Sequence, residues 1–268
     1  KAVALKLGIP FVSSTTTFAF NQHSAKIMKQ GIGDLFKMLF AMPKTSKQVK
    51  RLKDKGYPVN NILDIIGNDD NTHTIVYTSP EFQPCSETFS DKYSFVGPSI
   101  RPATSEVEKK RDKLVYISMG TVNNNMMALY KRCLAALADT DYQVIMSVGD
   151  LVSIEEFGVL PENISVFTHV DQIAVLQQAD IFVSHCGMNS VSESLYFGVP
   201  LVMLPQTTEQ DGVAERVLQL GAGIKLGRSD ADSILGAINK ICISRKILNI
   251  STLFAISTKQ KTQLFFIA

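Results

Sequence analysis

The 268-residue sequence has no tryptophan, and its four cysteines, Cys85, Cys133, Cys186 and Cys242, are scattered without a CxxC pair. That spacing offers neither a zinc ligand set nor a disulfide framework, and it fits a reducing cytosol. Net charge is almost absent: 27 Lys and Arg stand against 25 Asp and Glu, a formal balance of +2. A chain so balanced gives no electrostatic case for nucleic acid or an anionic membrane as partner, so any phosphate site has to be local. No window approaches the roughly 20 apolar residues of a membrane span; "ILNISTLFAI" is too short and runs into "STKQKTQ". No G-x-G-x-x-G follows a strand, which removes the dinucleotide fingerprint of an oxidoreductase. Initiator Met is missing too, and "KAVALKLGIPFV" reads as a helix running into a strand rather than a signal peptide. The chain is expected to begin inside a domain.

What is present is a globular composition, 45% hydrophobic and 19% charged, at a length that suits one large domain or two ordinary ones. The clearest break is "GPSIRPATSEVEKKRDK", Gly97 to Lys113, where two prolines and a charged cluster interrupt apolar segments. After it, the strand runs "LVYISMG", "YQVIMSVG", "ISVFTH", "DIFVSHCG" and "PLVMLP" are interleaved with the helical stretches "NNMMALYKRCLAALADT", "DQIAVLQQA", "NSVSESLYFG" and "QDGVAERVLQLG". Strands written as continuous apolar runs between helices imply a parallel sheet covered on both faces, a Rossmann-like α/β half. Met126, Leu129, Tyr130, Cys133, Leu134 and Leu137 fall on one helical face and read as core. Before the break, "GIPFVSSTTTFAF" reads as a strand leaving into a loop, "GDLFKMLFAM" as a short helix, and "HTIVYTSPEFQP" as a strand ending at Pro84. This front segment has the pattern of the second half of an α/β domain.

Ligands of open parallel sheets sit at the carboxyl ends of the strands. Three of those ends are polar: "SMGT" (Ser118 to Thr121), "THVDQ" (Thr168 to Gln172) and "SHCGMNS" (Ser184 to Ser190). In the last, Gly187 permits close backbone approach, Asn189 and Ser190 are expected to cap the following helix, and His185 aims a hydrogen-bonding side chain at the same place. A helix start of this kind is an anion site suited to a diphosphate. Glu193, one turn on, suits sugar hydroxyls.

"HCGMNSVSESLYFGVPLVMLPQTTEQ" resembles the donor-binding signature of the UDP-dependent family 1 glycosyltransferases: H-x-G-x-N-S, then Glu, G-V-P and an acidic-Gln pair. "ALKLGIPFVSSTTTFAFNQH", "FQPCSETFSDKYSFVGPSIR" and "YISMGTV" extend the resemblance from about Lys1 to about Ile241, nearest to the bacterial macrolide-type enzymes. It implies a GT-B fold, two Rossmann-like domains with parallel sheets, the N-terminal one incomplete here. Residues 1–97 would be part of the acceptor domain, 98–112 the linker, 113–241 the donor domain and 242–268 a divergent tail.

Carried over position by position, the resemblance implies that His185, Gly187, Asn189 and Ser190 hold the diphosphate, with Ser118, Gly120 and Thr121 lining it from the first strand's loop. Glu193 would take the ribose hydroxyls, Val170 would meet the uracil edge through its backbone with Gln172 beside it, and Glu209 and Gln210 would contact the transferred sugar. The activity implied is inverting transfer of a hexose from a UDP-sugar to a hydroxyl of a small aglycone. UDP-sugar is then a co-substrate, with no separate cofactor or metal, and the location is cytoplasmic.

Several positions depart from the family. Plant members carry Trp-x-Pro-Gln where this chain has His169, Val170, Asp171 and Gln172, so base stacking would rest on the His169 imidazole or be absent, while Asp171 reads as a helix N-cap. Glu209 replaces the commoner Asp. The family's general-base His and its orienting Asp would both precede Lys1, and neither His23 nor His73 replaces the base, so the chain alone is expected to be a catalytically inactive fragment. After "DADSILGAINKI" the resemblance fades, as either a frameshift or a divergent terminus would make it. Non-catalytic UDP-sugar binding and a GT-B sugar-nucleotide epimerase are the alternative functions.

Overall fold

A computed structural model describes residues 1–21, 23–24, 45–61, 72–121 and 125–249. The chain forms two compact units, Lys1–Gly97 and Pro98–Ala268. The expected helix in "GDLFKMLFAM" and most of the tail lie outside the described residues.

In the first unit, helix α1 (Ala2–Leu7) stops at Gly8, whose left-handed φ of 64° closes the last turn. Strand β1 (Ser13–Thr15), helix α2 (residues 45–54), β2 (Thr74–Val76) and β3 (Tyr93–Phe95) follow, and the strands pair in parallel in the order β1-β2-β3. The strand expected to reach Pro84 ends at Val76. Pro80 and Pro84 have no N–H to give a ladder, and the Gln83 side chain takes over the pairing there. Its amide accepts from Ala19 N (2.9 Å) and donates to Ala19 O (2.9 Å) and Pro84 O (3.0 Å).

The second unit alternates as its apolar runs dictate. Strand β4 (Leu114–Ser118) leads to α3 (Met127–Leu137), β5 (Gln143–Ser147), β6 (Ile164–Phe167) and α4 (Gln172–Leu176). Then come β7 (Ile181–Ser184), α5 (Met188–Tyr196), β8 (Leu201–Met203), α6 (Thr208–Leu220), β9 (Gly223–Lys225) and α7 (Ala231–Ile243). All six strands are parallel, in the order β6-β5-β4-β7-β8-β9. Strand order therefore reverses between β4 and β7, and the chain leaves these two neighbours toward opposite sides of the sheet. Strand β9 has no counterpart in the sequence reading, because three residues starting with Gly show no periodicity.

Every residue of β4 and β7 is buried, as continuous apolar strands between helix layers require. Tyr116 and Phe182, register partners across the two strands, stack with centroids 4.6 Å apart. On α3, Leu129, Tyr130, Cys133 and Leu137 are buried against the sheet with Met126 and Leu134 packed beside them, the face the spacing predicts. Among the described residues, no helix is long and apolar enough to cross a membrane.

One buried amide ties α3 to the sheet. Asn163 Nδ2 donates to the carbonyls of Leu137 (2.9 Å), Tyr142 (2.9 Å) and Thr140 (3.3 Å). Asn163→Ala removes the amide that joins all three carbonyls; Leu137 O keeps the Thr140 hydroxyl (2.8 Å) and Thr140 O keeps Arg111 Nη1 (3.1 Å), so the tie between the helix end and the sheet is what is lost. The expected loss is about 1–3 kcal/mol, read as a lower urea midpoint with an unchanged m value.

Candidate functional site

The strand order reverses between β4 and β7, the place where open parallel sheets take their ligands, and at the carboxyl ends of these two strands the register pairs Ser118 with Ser184. Beyond Ser118, the chain turns through Met119 and Gly120 to Thr121, and Ser118 Oγ accepts from Gly120 N at 3.4 Å. Beyond Ser184, it turns through His185, Cys186 and Gly187, and Ser184 Oγ accepts from Cys186 N at 3.2 Å. Cys186 is buried with φ of 68°, a left-handed conformation that costs a side-chain-bearing residue about 1–2 kcal/mol. Two strained or glycine turns thus face each other.

The His185 imidazole fills the space between them. A Cβ on Gly120 would lie 2.6 Å from both Cε1 and Nε2 of the ring, and a Cβ on Gly187 would lie 2.7 Å from Nε2. Glycine at both positions is what admits the ring. His185 Nδ1 is buried without a hydrogen-bonding partner. Burial pushes the pKa down and the nearby Ser118 backbone opposes by less, which favours the uncharged ring with its one N–H.

Helix α5 starts two residues earlier than a cap at Asn189 requires, and three earlier than a cap at Ser190 requires. Gly187, extended at φ −60° and ψ 138°, is the N-cap, and no side chain caps the first turn. The left-handed Cys186 redirects the chain before the helix, so Asn189 and Ser190 become its second and third residues rather than its caps. The consequence favours the site: the first-turn N–H groups are not consumed by a side chain and remain donors for an anion. Asn189 is exposed, and Ser190 is partly buried beside the Gln172 amide.

A polar chain runs from the sheet interior to that turn. The buried Tyr116 hydroxyl donates to Gln172 Oε1 (3.1 Å), and Gln172 Nε2 donates to Glu193 Oε2 (2.5 Å) and to Ser190 Oγ (3.4 Å). Burial raises the Glu193 pKa, and the Gln172 amide and the nearby Arg101 charge pull it back. Asp171 caps α4 as its sequence position suggested, accepting from Ile173 N (3.1 Å) and Ala174 N (3.4 Å).

The remaining positions are more peripheral. His169 is exposed and meets Asp150 at 2.9 Å across the ends of β6 and β5, and Val170 follows it, partly buried. Glu209 is exposed in the first turn of α6. Gln210 closes a capping box with Thr207, its Oε1 accepting from Gln206 N (2.7 Å) and Thr207 N (3.2 Å). That carbonyl is committed to the backbone, which leaves Gln210 its amide N–H groups for another partner. His23 is exposed, and exposed His73 meets Lys92 Nζ at 3.3 Å.

Tyr116, Asp150 and Arg101 escaped the sequence reading. A tyrosine inside the aliphatic run "LVYIS" was the one available signal, since a buried hydroxyl needs a partner; Asp150 and Arg101 sit in loops without local pattern.

The chain resembles known proteins in sequence and in fold. Residues 131–256 match the family model described as Erythromycin biosynthesis protein CIII-like, C-terminal domain. Over 238 residues the chain is 37% identical to the NDP-glycosyltransferase YjiC of Bacillus licheniformis, covering 86% of this chain and 57% of that protein. Over 233 residues it is 36% identical to the uncharacterized UDP-glucosyltransferase YojK of Bacillus subtilis, covering 83% of this chain and 56% of that protein. In three dimensions it resembles the crystallised glycotransferase of kitacinnamycin, with a TM-score of 0.84 at 24% identity, covering 97% of this chain and 69% of that one. The chain therefore spans little more than half the length of these two curated relatives. Fold, signature and relatives agree: the chain has the GT-B fold, and its homologues are bacterial UDP-glucosyltransferases and macrolide-type glycosyltransferases.

Proposed function

We propose that the second unit binds the UDP moiety of a UDP-sugar, as the donor half of an inverting hexosyltransferase that glycosylates a hydroxyl of a small aglycone. One observation carries the reading: an uncapped helix start faces an imidazole lodged between two glycines, with a Gln–Glu pair one turn further along. The first-turn N–H groups of α5, His185 and the Ser118–Thr121 loop take the diphosphate. Glu193, steered by Gln172, accepts from the ribose hydroxyls. His169, held by Asp150, forms the platform for the uracil, whose edge meets the Val170 backbone. Glu209 and the Gln210 amide face the transferred sugar. YojK, a relative named as a UDP-glucosyltransferase, supports uracil as the base.

In transfer, the bond between the anomeric carbon and the diphosphate breaks as the acceptor oxygen attacks from the opposite face. The growing negative charge on the leaving diphosphate is met by donors already in place, which is where such a site lowers the barrier most. These neutral donors replace a metal in this scheme, and UDP-sugar is the co-substrate without a further cofactor. The acceptor's proton goes to a general base that is none of His23, His73, His169 or His185; the 268-residue chain is proposed to bind donor without transferring the sugar. A cytosolic setting agrees with the four cysteines being free thiols.

Calorimetric titration with UDP and with 2′,3′-dideoxy-UDP tests the ribose assignment. UDP should bind about tenfold tighter, the worth of a charge-assisted hydrogen bond or two, and Glu193→Ala should erase the difference. Equal affinity for both nucleotides would remove Glu193 from the site.

A further inference from the structure

The carboxylate of Asp171 holds far more than a helix cap needs. Capping uses the N–H groups of Ile173 and Ala174. Four further hydrogen bonds arrive from a segment about 70 residues earlier in the chain. Arg101 forks onto it, Nη2 to Oδ1 at 2.6 Å and Nη1 to Oδ2 at 3.3 Å. Thr104 donates to Oδ2 from its backbone N–H (2.5 Å) and its hydroxyl (2.7 Å). The Asp171 side chain is only 6% exposed, whereas that of Arg101 is 52% exposed.

We propose that the segment from Arg101 to Thr104 is a positioning strap for the ribose end of the donor site, acting through Asp171. The inference rests on the donor-site reading above. Helix α4 is five residues long, too short to fix its own first turn. Its first residue is Gln172, whose amide is divided between the Tyr116 hydroxyl and the Glu193 carboxylate. A carboxylate with six donors converging on it cannot rotate without breaking several charge-assisted bonds, so it pins the backbone from which Gln172 projects. Tyr116 then holds the amide from the sheet side, and the strap holds its backbone from the solvent side. Arg101 contributes a second effect: its charge acts on Glu193 and favours the ionised form, the form with full acceptor capacity for ribose hydroxyls.

Because the strap reaches the ribose end and not the turn at His185, its loss has a selective signature. In calorimetry on the 268-residue chain, Arg101→Ala should weaken UDP binding about tenfold, the size expected when one member of a coupled polar network is removed. The same variant should bind inorganic diphosphate within about twofold of the parent and should show almost no loss toward 2′,3′-dideoxy-UDP. Thr104→Val should act in the same direction by less. Arg101→Lys should recover only part of the affinity, since an ammonium keeps the charge but not the fork. A purely structural latch would lower thermal stability and all three affinities together, and that result overturns the proposal. So does UDP affinity in both Arg101→Ala and Thr104→Val equal to the parent's, while Glu193→Ala still abolishes discrimination against dideoxy-UDP. If the parent itself shows no such discrimination, the ribose assignment fails first and the strap falls with it.

Discussion

His185→Ala is expected to weaken UDP binding by about 10- to 100-fold, the range for a hydrogen bond to a charged group that nothing replaces. The ring occupies the gap between Gly120 and Gly187 with its Nε2 edge, and its buried Nδ1 has no hydrogen-bonding partner. A side chain so placed costs stability in the unliganded protein and contributes to binding, the usual exchange at a prepared site. The pH dependence has a definite sign. Burial lowers the folded-state pKa below its ordinary 6.5, so the unfolded chain takes up the proton more readily. The stability His185 allows is therefore present above about pH 6.5 and is lost as pH falls through the lowered value. Thermal midpoints of the unliganded protein should decline over that acidic window, and less steeply in His185→Ala. Saturating UDP should flatten the decline, because a bound diphosphate favours the imidazolium. UDP affinity within about twofold of the parent in His185→Ala would remove the imidazole from the anion site.

Gly120→Ala should do more damage, because two costs coincide. The backbone there sits at φ 81°, and the new Cβ would lie 2.6 Å from the His185 ring. Left-handed strain of about 1–2 kcal/mol adds to overpacking of about 1–3 kcal/mol, so stability should fall by roughly 2–5 kcal/mol with UDP binding lost as the ring is driven out. Gly187→Ala is the informative control. Its φ of −60° carries no left-handed strain, yet its Cβ would meet Nε2 at 2.7 Å. UDP binding should fall nearly as far while the urea midpoint falls less. Equal stability loss in the two variants would show that the backbone conformation of Gly120 carries little of the cost.

The second unit was legible in the sequence because its information is periodic and local. Continuous apolar strands such as "LVYIS" and "IFVS" announce burial on both faces, and Gly221 and Asp171 mark helix boundaries through short-range backbone chemistry. The Asn189–Ser190 cap failed for an equally physical reason. A cap is decided by where the preceding turn ends, and Cys186 adopts a left-handed φ that residues of its type seldom take. Contacts between residues far apart in sequence left no pattern at all: Tyr116 to Gln172, Arg101 to Asp171, and Asn163 to the end of α3. The first unit was less legible because its strands are three residues long and held partly by side chains, with Gln83 doing what a backbone ladder does elsewhere.

The most direct measurement is thermal protection of the 268-residue chain by UDP, with NAD as the competing ligand and inorganic diphosphate as the partial one. At a hundred times its dissociation constant a ligand stabilises by about 2.7 kcal/mol, enough to move the midpoint by a few degrees. A nucleoside-diphosphate site built from the α5 start, His185 and Glu193 predicts a clear shift with UDP, a smaller one with diphosphate at equal concentration, and none with NAD. A shift with NAD and none with UDP would contradict it.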